Sequence, residues 1–524
     1  MSKFLNRANG RLTLSSTAFL LAGTAFVGTL LGIVRTSLIN SNFSPFSASA
    51  YFAAFKIPDL IFFTLATGAL GVAFMPVLSD KLAKGGRRSA WELTSNILNM
   101  LALVTFIFSL ISIIFARPLL EHIVAPGFTP EQLDLATAVM RIVSINPFLF
   151  AISTVLTSAQ QSIGRFFFFA IAPLFYNTMI IMGIVFFGDS IGIVSAAVGV
   201  AIGAVLQLMV ISFGMIGTNF RYRWGINFKD TGFRQVMTTL PARSIDQGID
   251  YINGIVETRY ASGISRIAVA NYENALQLHN APIMLIGIAI STAAFPRFTE
   301  RISQGRPDLF KKEFLQVLRA MIWIALPVVI ISYFAREYFA RLIFKRENLE
   351  IALIFGSLAV SIFFRTMYTI ISRFYYAQKD TRTPLFVSIF SIGLNIFLAY
   401  QLSRPDSYGI IGLAIAQSIV AVVEVSILLV IMIIKDNKLF NSKFLGAVGQ
   451  IFSASGFTVL ISYLAVNVLP LSSGDKGVTI FAKLSIIAVI SLLTHIIVSS
   501  VFKLEEAVPV IQRIRKIILR PVKI

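Results

Sequence analysis

Two ionisable residues stand where hydrocarbon is expected. Gly32-Ile33-Val34-Arg35-Thr36 puts an arginine deep in the first apolar run, and Gly254-Ile255-Val256-Glu257-Thr258 repeats the word with a glutamate in its place. A charge at bilayer depth costs several kcal/mol unless it faces a partner or water, so such residues mark sites. The seventh apolar run carries Arg243, Asp246, Asp250, Glu257 and Arg259, with Gln247 and Asn253 among them. At about 100° per residue, Arg243, Asp246, Gln247, Asp250, Asn253, Gly254 and Glu257 share one helical face. That face is either an internal ladder of Arg–Asp pairs locking helices together or the polar wall of a water-filled cavity. In the next run Asn271, Glu273, Asn274, Gln277, His279 and Asn280 precede Pro282, where the helix is expected to break. Their amides suit sugar or peptide groups, or pairing with the seventh run. Lys56 and Asp59 flank Pro58 in the second run, so Lys56 either reaches a cavity or pairs with Asp59. Asp246, Asp250, Glu257 and Glu273 are candidates for a gate or for binding H⁺ or Na⁺.

These groups must be held by membrane helices. The 524 residues are 56% hydrophobic and 13% charged, outside the range of soluble domains. Cysteine is absent and the three histidines (His122, His279, His495) are scattered, which excludes thiol chemistry and argues against a metal site. No Ser–His–Asp set, phosphate-cradling loop or carboxylate pair of catalytic spacing is present, so no enzyme activity and no cofactor is expected. The net charge of +20 falls in short gaps between apolar runs, as topogenic charge does, rather than on one nucleic-acid-binding face. Lys3, Arg7 and Arg11 before an apolar run resemble a signal peptide, but the run to about Ile39 exceeds a signal core of about 7–15 residues, so an uncleaved first helix is expected.

Runs of about 20 residues, enough to span, recur near 15–39, 50–78, 93–116, 136–159, 166–187, 191–216, 236–261, 267–296, 314–335, 351–374, 384–402, 409–434, 445–467 and 478–501. The expectation is an all-α polytopic membrane protein of fourteen helices. Basic loops such as Lys81 to Arg88, Arg221 to Arg234 and Lys435 to Lys443 alternate with nearly uncharged ones such as Asn40 to Ser49. The positive-inside rule then puts both termini in the cytoplasm. Arg141, Arg319, Arg365 and Arg373 fall near expected helix ends, where snorkelling serves most of them. Glu424 is deep enough to need a partner.

Internal repetition sets the architecture. Phe74 to Lys81 is echoed by Ala294 to Arg301, each with a glycine four residues on, and Gly192 to Gln207 is echoed by Gly409 to Glu424. With the opening pair, the offsets lie between 217 and 222. The chain therefore reads as two pseudo-symmetric six-helix lobes around a central cavity, 1–230 and 231–440, followed by two added helices (441–503) and a basic cytoplasmic tail (504–524). An even number of spans per lobe makes the repeat parallel.

Further motifs are Ala54-Phe55-Lys56-Ile57-Pro58, Ala125-Pro126-Gly127-Phe128, Gly164-Arg165-Phe166 with Ala172-Pro173 and Asn177, Thr292 to Arg297, and Phe374-Tyr375-Tyr376-Ala377-Gln378-Lys379-Asp380-Thr381-Arg382-Thr383-Pro384. With Gly32 to Arg35 they resemble the MurJ (MviN) family of lipid II flippases, within the multidrug/oligosaccharidyl-lipid/polysaccharide exporter superfamily. The resemblance implies two lobes around a central cavity, a groove for the lipid tail on the last two helices, and alternating access. It implies an undecaprenyl-pyrophosphate-linked cargo, lipid II, moved outward across a bacterial cytoplasmic membrane. Arg35 matches the family's first-helix arginine, proposed to meet the pyrophosphate. The sequence departs from the family's other charged positions at Thr29, Ser49, Phe62 and Gln277.

The leading expectation is thus a lipid II flippase of the MurJ type, a monomer among membrane lipids with no nucleic-acid partner. Arg35, with Lys56, Arg243 and Arg259, is expected to hold the pyrophosphate, and Asp250, Glu257, Gln277 and Asn280 to meet sugar and peptide or form a gate. Pairing of Arg35 with Glu257 would close that gate. Coupling to H⁺, Na⁺ or the membrane potential stays open. The alternatives are a cation-coupled exporter of drugs or another lipid-linked oligosaccharide, and a non-transporting cell-wall scaffold.

Overall fold

The computed structural model describes residues 14–67, 73–84, 86–344, 349–404 and 406–518, apart from the side chains of 14, 15, 18, 19, 22, 67, 240–247, 249 and 514–518. The described chain contains helices and no strand. Its long helices are α1 (Leu14–Asn42), α2 (Pro45–Ala66), α3 (Gly86–Ile114), α4 (Pro130–Ser162), α5 (Phe167–Ile191), α6 (Val194–Phe213) and α7 (Thr231–Ile264). There follow α8 (Ala268–Ser303), α9 (Pro307–Phe334), α10 (Leu349–Ser357 with Ala359–Ala377), α11 (Arg382–Leu402), α12 (Ile410–Lys435), α13 (Ser442–Val468) and α14 (Gly477–Val501).

Among the described residues, eleven of these are long and apolar enough to cross a membrane, and α10, bent by 43° at its break, makes twelve. The remaining two, α1 of 29 residues and α7 of 34, are long enough to span. The ionisable groups on α7 keep it from passing as apolar. Fourteen spans are compatible with this set, and the chain is a multi-pass membrane protein.

Local chemistry explains the helix starts. The Ser44 side chain accepts from the Ser47 N–H at 3.2 Å and Pro45 opens α2, a cap followed by a residue with no N–H to orphan. The expected outer loop from Asn40 to Ser49 therefore shrinks to a turn, with α1 running to Asn42. Asp230 caps α7 in the same way, accepting from Phe233 N at 2.7 Å, and a 2.6 Å ion pair with Lys81 fixes it. Pro282 does not break α8. The helix passes through a π-turn at Ile283–Ile288 and continues to Ser303, because a wider turn absorbs the hydrogen bond that proline removes. A second π-turn, Phe63–Thr67, follows Pro58 in α2.

The repeat reappears as backbone geometry. Gly192 before α6 (φ 58°, ψ −144°) and Gly409 before α12 (φ 55°, ψ −135°) adopt the same conformation, which lies in a region open essentially to glycine alone. Within α5 and α6, a Cβ on Gly199 would lie 2.6 Å from the Met179 carbonyl oxygen, so the two helices meet backbone to backbone.

By contacts the chain divides into units 1–270 and 271–524. Helix α7 packs with the first unit, against α2 and its π-turn. Tyr251 stacks on Phe63 at 4.2 Å, and Gly127 N donates to Ser262 Oγ at 3.3 Å. The contact division falls after α7, whereas the sequence repeat places its boundary at residues 230 and 231. In the first unit Phe74, Leu78, Trp91, Ile97, Phe168 and Phe233 are part of a buried core. In the second, Phe298, Phe310, Phe314, Trp323 and Tyr375 belong to another.

The Tyr375 to Pro384 motif is a structural corner. Lys379, at φ 62°, ends α10, and Asp380 accepts from Thr383 N at 3.0 Å, from Thr383 Oγ1 at 2.7 Å and from Lys435 Nζ at 2.8 Å. Partial burial pushes the Asp380 carboxyl up, but the Lys435 and Thr383 hydrogen bonds outweigh it and hold its pKa at about 2. A depressed carboxylate stabilises the fold above its unfolded pKa, about 3.9, and that contribution is lost as pH falls toward about 2. Asp380→Asn is therefore expected to destabilise the protein by about 1 kcal/mol at pH 7. In detergent unfolding experiments its deficit against wild type should shrink progressively below about pH 4.

Candidate functional site

In the first unit, Arg35 is half-buried on α1, and its Nη1 donates to Asn177 Oδ1 on α5 at 3.1 Å. Asn177 is kept in place by its own bond to the Pro173 carbonyl at 3.3 Å. The charges of Arg35 and Asp59 both act on the phenols of Tyr51 and Tyr176, so α1, α2 and α5 contribute to one polar cluster. On the adjoining face of α2, the half-buried Lys56 points its Nζ at Gly254 of α7, 3.7 Å from where a Cβ would stand. One turn along α7, Glu257 is 4% exposed and accepts from Asn253 Nδ2 at 3.1 Å. Asp250 is exposed, and its charge and that of Asp59 act on Tyr251.

The structure thus gathers Arg35, Lys56, Asp59, Asp250 and Glu257 on α1, α2 and α7 of one unit. Two of the cations expected at the pyrophosphate are bonded to neutral protein groups. Arg35 donates to Asn177 on α5 rather than to Glu257. Arg259 is exposed, and its Nη1 donates to the His122 and Ile123 carbonyls, the latter at 3.2 Å, where a π-turn leaves them open. Arg243, Asp246 and Gln247 lie on α7 with side chains outside the described residues.

The second unit holds Glu273 and Gln277, both half-buried, and Asn280, which is exposed. His279 is 2% exposed between Asn280 Oδ1 at 3.2 Å and Ser361 Oγ at 3.1 Å. Beside it, Arg365 Nη1 meets Glu424 Oε2 at 2.9 Å, and Ser388 Oγ donates to Glu424 Oε1 at 2.9 Å. Tyr368 closes the set with a 3.0 Å bond to Ser388.

Three of the four arginines expected near helix ends find partners within the protein. Arg365 sits mid-helix and neutralises Glu424, Arg319 pairs with Glu505 and Glu506, and Arg373 lies 5.0 Å over the Phe295 ring. Pairing across α10 and α12 was invisible in sequence because the partners are 59 residues apart. Asn177 stood in a recognised motif, yet 142 residues separate it from Arg35. No group of histidine and acidic residues able to hold a metal occurs among the described residues.

The model of the family described as Lipid II flippase MurJ matches residues 42–487. The chain belongs to the MurJ family. A relative from Thermotoga maritima, named "Probable lipid II flippase MurJ", is 26% identical over 501 residues, covering 93% of this chain and 96% of the relative. One of the same name from Borreliella burgdorferi is 23% identical over 415 residues, covering 77% and 80%. Among solved structures, a lipid II flippase MurJ in an inward closed conformation matches with TM-score 0.76 at 22% identity, over 92% of this chain and 98% of that one. An inward-facing MATE family multidrug transporter matches with TM-score 0.64 at 13% identity, over 79% and 96%. These likenesses establish a MurJ-like fold, shared more distantly by MATE transporters.

The α10–α12 ion pair gives a direct test of the second MurJ cluster. Glu424→Gln removes the carboxylate from a site 2% exposed and leaves the Arg365 charge without its counter-ion. The expected cost is about 3 kcal/mol, read as a lower melting temperature of the purified protein. Arg365→Met combined with Glu424→Met should recover most of it.

Proposed function

We propose that this protein is a lipid II flippase, carrying its undecaprenyl-pyrophosphate-linked cargo from the cytoplasmic to the outer leaflet of a bacterial inner membrane by alternating access. The observation that carries this reading is the family match across most of the chain, and the half-buried Arg35 supplies the chemistry. A guanidinium has five N–H donors in a fixed fork suited to phosphate oxygens. One of Arg35's is engaged by Asn177, a neutral group that orients the charge without cancelling it. Lys56 supplies a second cation on the neighbouring helix. Asp250, Gln277 and Asn280 are assigned to sugar and peptide, with Arg243 and Arg259 as further cations. The step is a translocation with no bond made or broken.

The two sequence repeats, 1–230 and 231–440, serve as the lobes, and 441–503 as the added pair that receives the lipid tail. An apolar cavity of about 520 Å³, lined by α9, α10, α12 and the start of α13, offers room for hydrocarbon. Both termini are placed in the cytoplasm by the basic loops, and the protein works as a monomer.

Arg35→Ala, expressed and folded at wild-type level, is expected to lower lipid II movement in proteoliposomes at least about tenfold, the loss of one charged hydrogen-bonding group. Arg35→Lys should fall between them, keeping charge without the fork. Native flipping by the alanine variant would refute the role.

The carboxylates bear on energy coupling. Asp246, Asp250, Glu257 and Glu273 are the groups assigned to H⁺ or Na⁺, with Glu257 foremost because it is a carboxylate only 4% exposed on α7. Flipping that rises with an imposed ion gradient in wild type, and loses that response in Glu257→Gln, is the expected result. A rate indifferent to every gradient, or a response that survives the substitution, would remove Glu257 from the coupling.

A further inference from the structure

A cup of arginines stands apart from the transport residues. The first turn of α3 carries Arg87 and Arg88 and no acidic residue, which sets two cations at the positive end of a 29-residue helix. Across from them, the segment between α6 and α7 brings Arg221 and Arg223 to the rim of the same pocket, about 430 Å³ in volume, with Trp91 in its wall. The segment is firmly tied down. Trp91 Nε1 donates to the Thr218 carbonyl at 3.2 Å, Asn99 Nδ2 to the carbonyls of Arg223 and Gly225 at 2.8 Å each, and Asn227 N to Asn96 Oδ1 at 2.6 Å.

The charge in this cup is not balanced. Glu92 takes both Arg88, at 3.2 Å, and Arg223, at 2.6 Å. Among the described residues Arg87 and Arg221 have no acidic partner. Arg165 lies close enough to feel Arg87, and it is pushed below its ordinary value first by burial and then by that neighbouring charge. Its Nη1 donors are spent on the carbonyls of Gly214 and Ile216, at 3.0 and 2.6 Å, so it adds charge to the cup while those donors are engaged elsewhere. Topogenic charge needs only to be on the right side of the membrane. It does not need to converge from two segments onto one concave surface that hydrogen bonds hold rigid.

The same α6–α7 segment also carries aromatic side chains in the open. Trp224 is 89% exposed and packs edge-on to Tyr222, and Phe228 is 59% exposed. Amphipathic rings of this kind sit at the level of lipid headgroups, and clustered cations beside them attract anionic lipid.

We propose that this cup is a binding site for a phosphate group, with Arg87 and Arg221 gripping its oxygens and Arg88 and Arg223 supporting them. Paired guanidinium forks match phosphate oxygens in number and geometry. The phosphate has two sources that this chemistry does not separate: the headgroup of an anionic phospholipid in the facing leaflet, and a soluble phosphate compound. The site is independent of the cargo assigned above, since none of its residues belongs to the Arg35 cluster.

The test uses the full-length protein in neutral detergent and follows tryptophan fluorescence, to which Trp91 and Trp224 contribute. Short-chain phosphatidylglycerol and inorganic pyrophosphate are titrated separately, against wild type, Arg87→Gln/Arg221→Gln, and Lys229→Gln as a cationic control outside the cup. Saturable binding that weakens at least about tenfold in the double variant and is unchanged in the control is the expected result. Binding of the lipid alone identifies a headgroup site, of pyrophosphate alone a soluble ligand, and of both a site open to either source; each supports the proposal. No saturable binding of either probe, or equal affinity in the double variant, overturns it. Melting curves check the fold, and Arg221→Gln alone, on an exposed segment, serves if the double variant does not fold.

Discussion

The cost of placing charge in a bilayer governs this protein. A guanidinium or carboxylate at hydrocarbon depth must find a partner or water, and the two units meet that demand differently. In the second unit Arg365 and Glu424 cancel each other, with Ser388 donating to the remaining carboxylate oxygen and Tyr368 bonded to Ser388 in turn. In the first, Arg35 is held by the neutral amide of Asn177. An amide fixes the direction of a charge and leaves its sign in force. That difference keeps the Arg35 charge in force in the first unit, while the Arg365 charge of the second is met by Glu424.

The helix breaks follow from the same economy of backbone hydrogen bonds. Unsatisfied N–H and C=O groups are as costly in lipid as unpaired charges. Pro58 and Pro282 each precede a π-turn, which lets a span continue while it shifts the face it presents. The π-turn at Leu120–Val124 opens two carbonyls, and Arg259 from α7 fills the role of their donor. Arg259, a cation of the seventh apolar run, thus also clamps α7 to its neighbours in the first unit.

Much of the fold was legible because lipid imposes a simple code. Runs of spanning length located the long helices, and the repeat at an offset near 220 is matched in the structure by the similar backbone of Gly192 and Gly409. The ends were less legible. Asn40 to Ser49 looked like a loop because it is polar, yet Ser44 and Pro45 form a cap that starts the next helix almost at once. The candidate site was legible by residue type, since Arg35, Lys56 and Glu257 stand out wherever they fall in an apolar run. Their partners were not, because Asn177 and Ser388 are ordinary residues until the chain brings them near a charge.

The amino-acid sequence by itself determined that this is a multi-pass helical membrane protein with internal repetition, and which ionisable residues had to be accounted for. It did so because transfer to hydrocarbon is a property of each segment alone. Only the tertiary structure decided which partner holds each polar group: Asn177 for Arg35, Arg365 for Glu424, and Arg259 for the carbonyls after Leu120. It also decided that α7 packs with the first unit. Pairing depends on distances between residues far apart in the chain, and no periodicity within one helix records them.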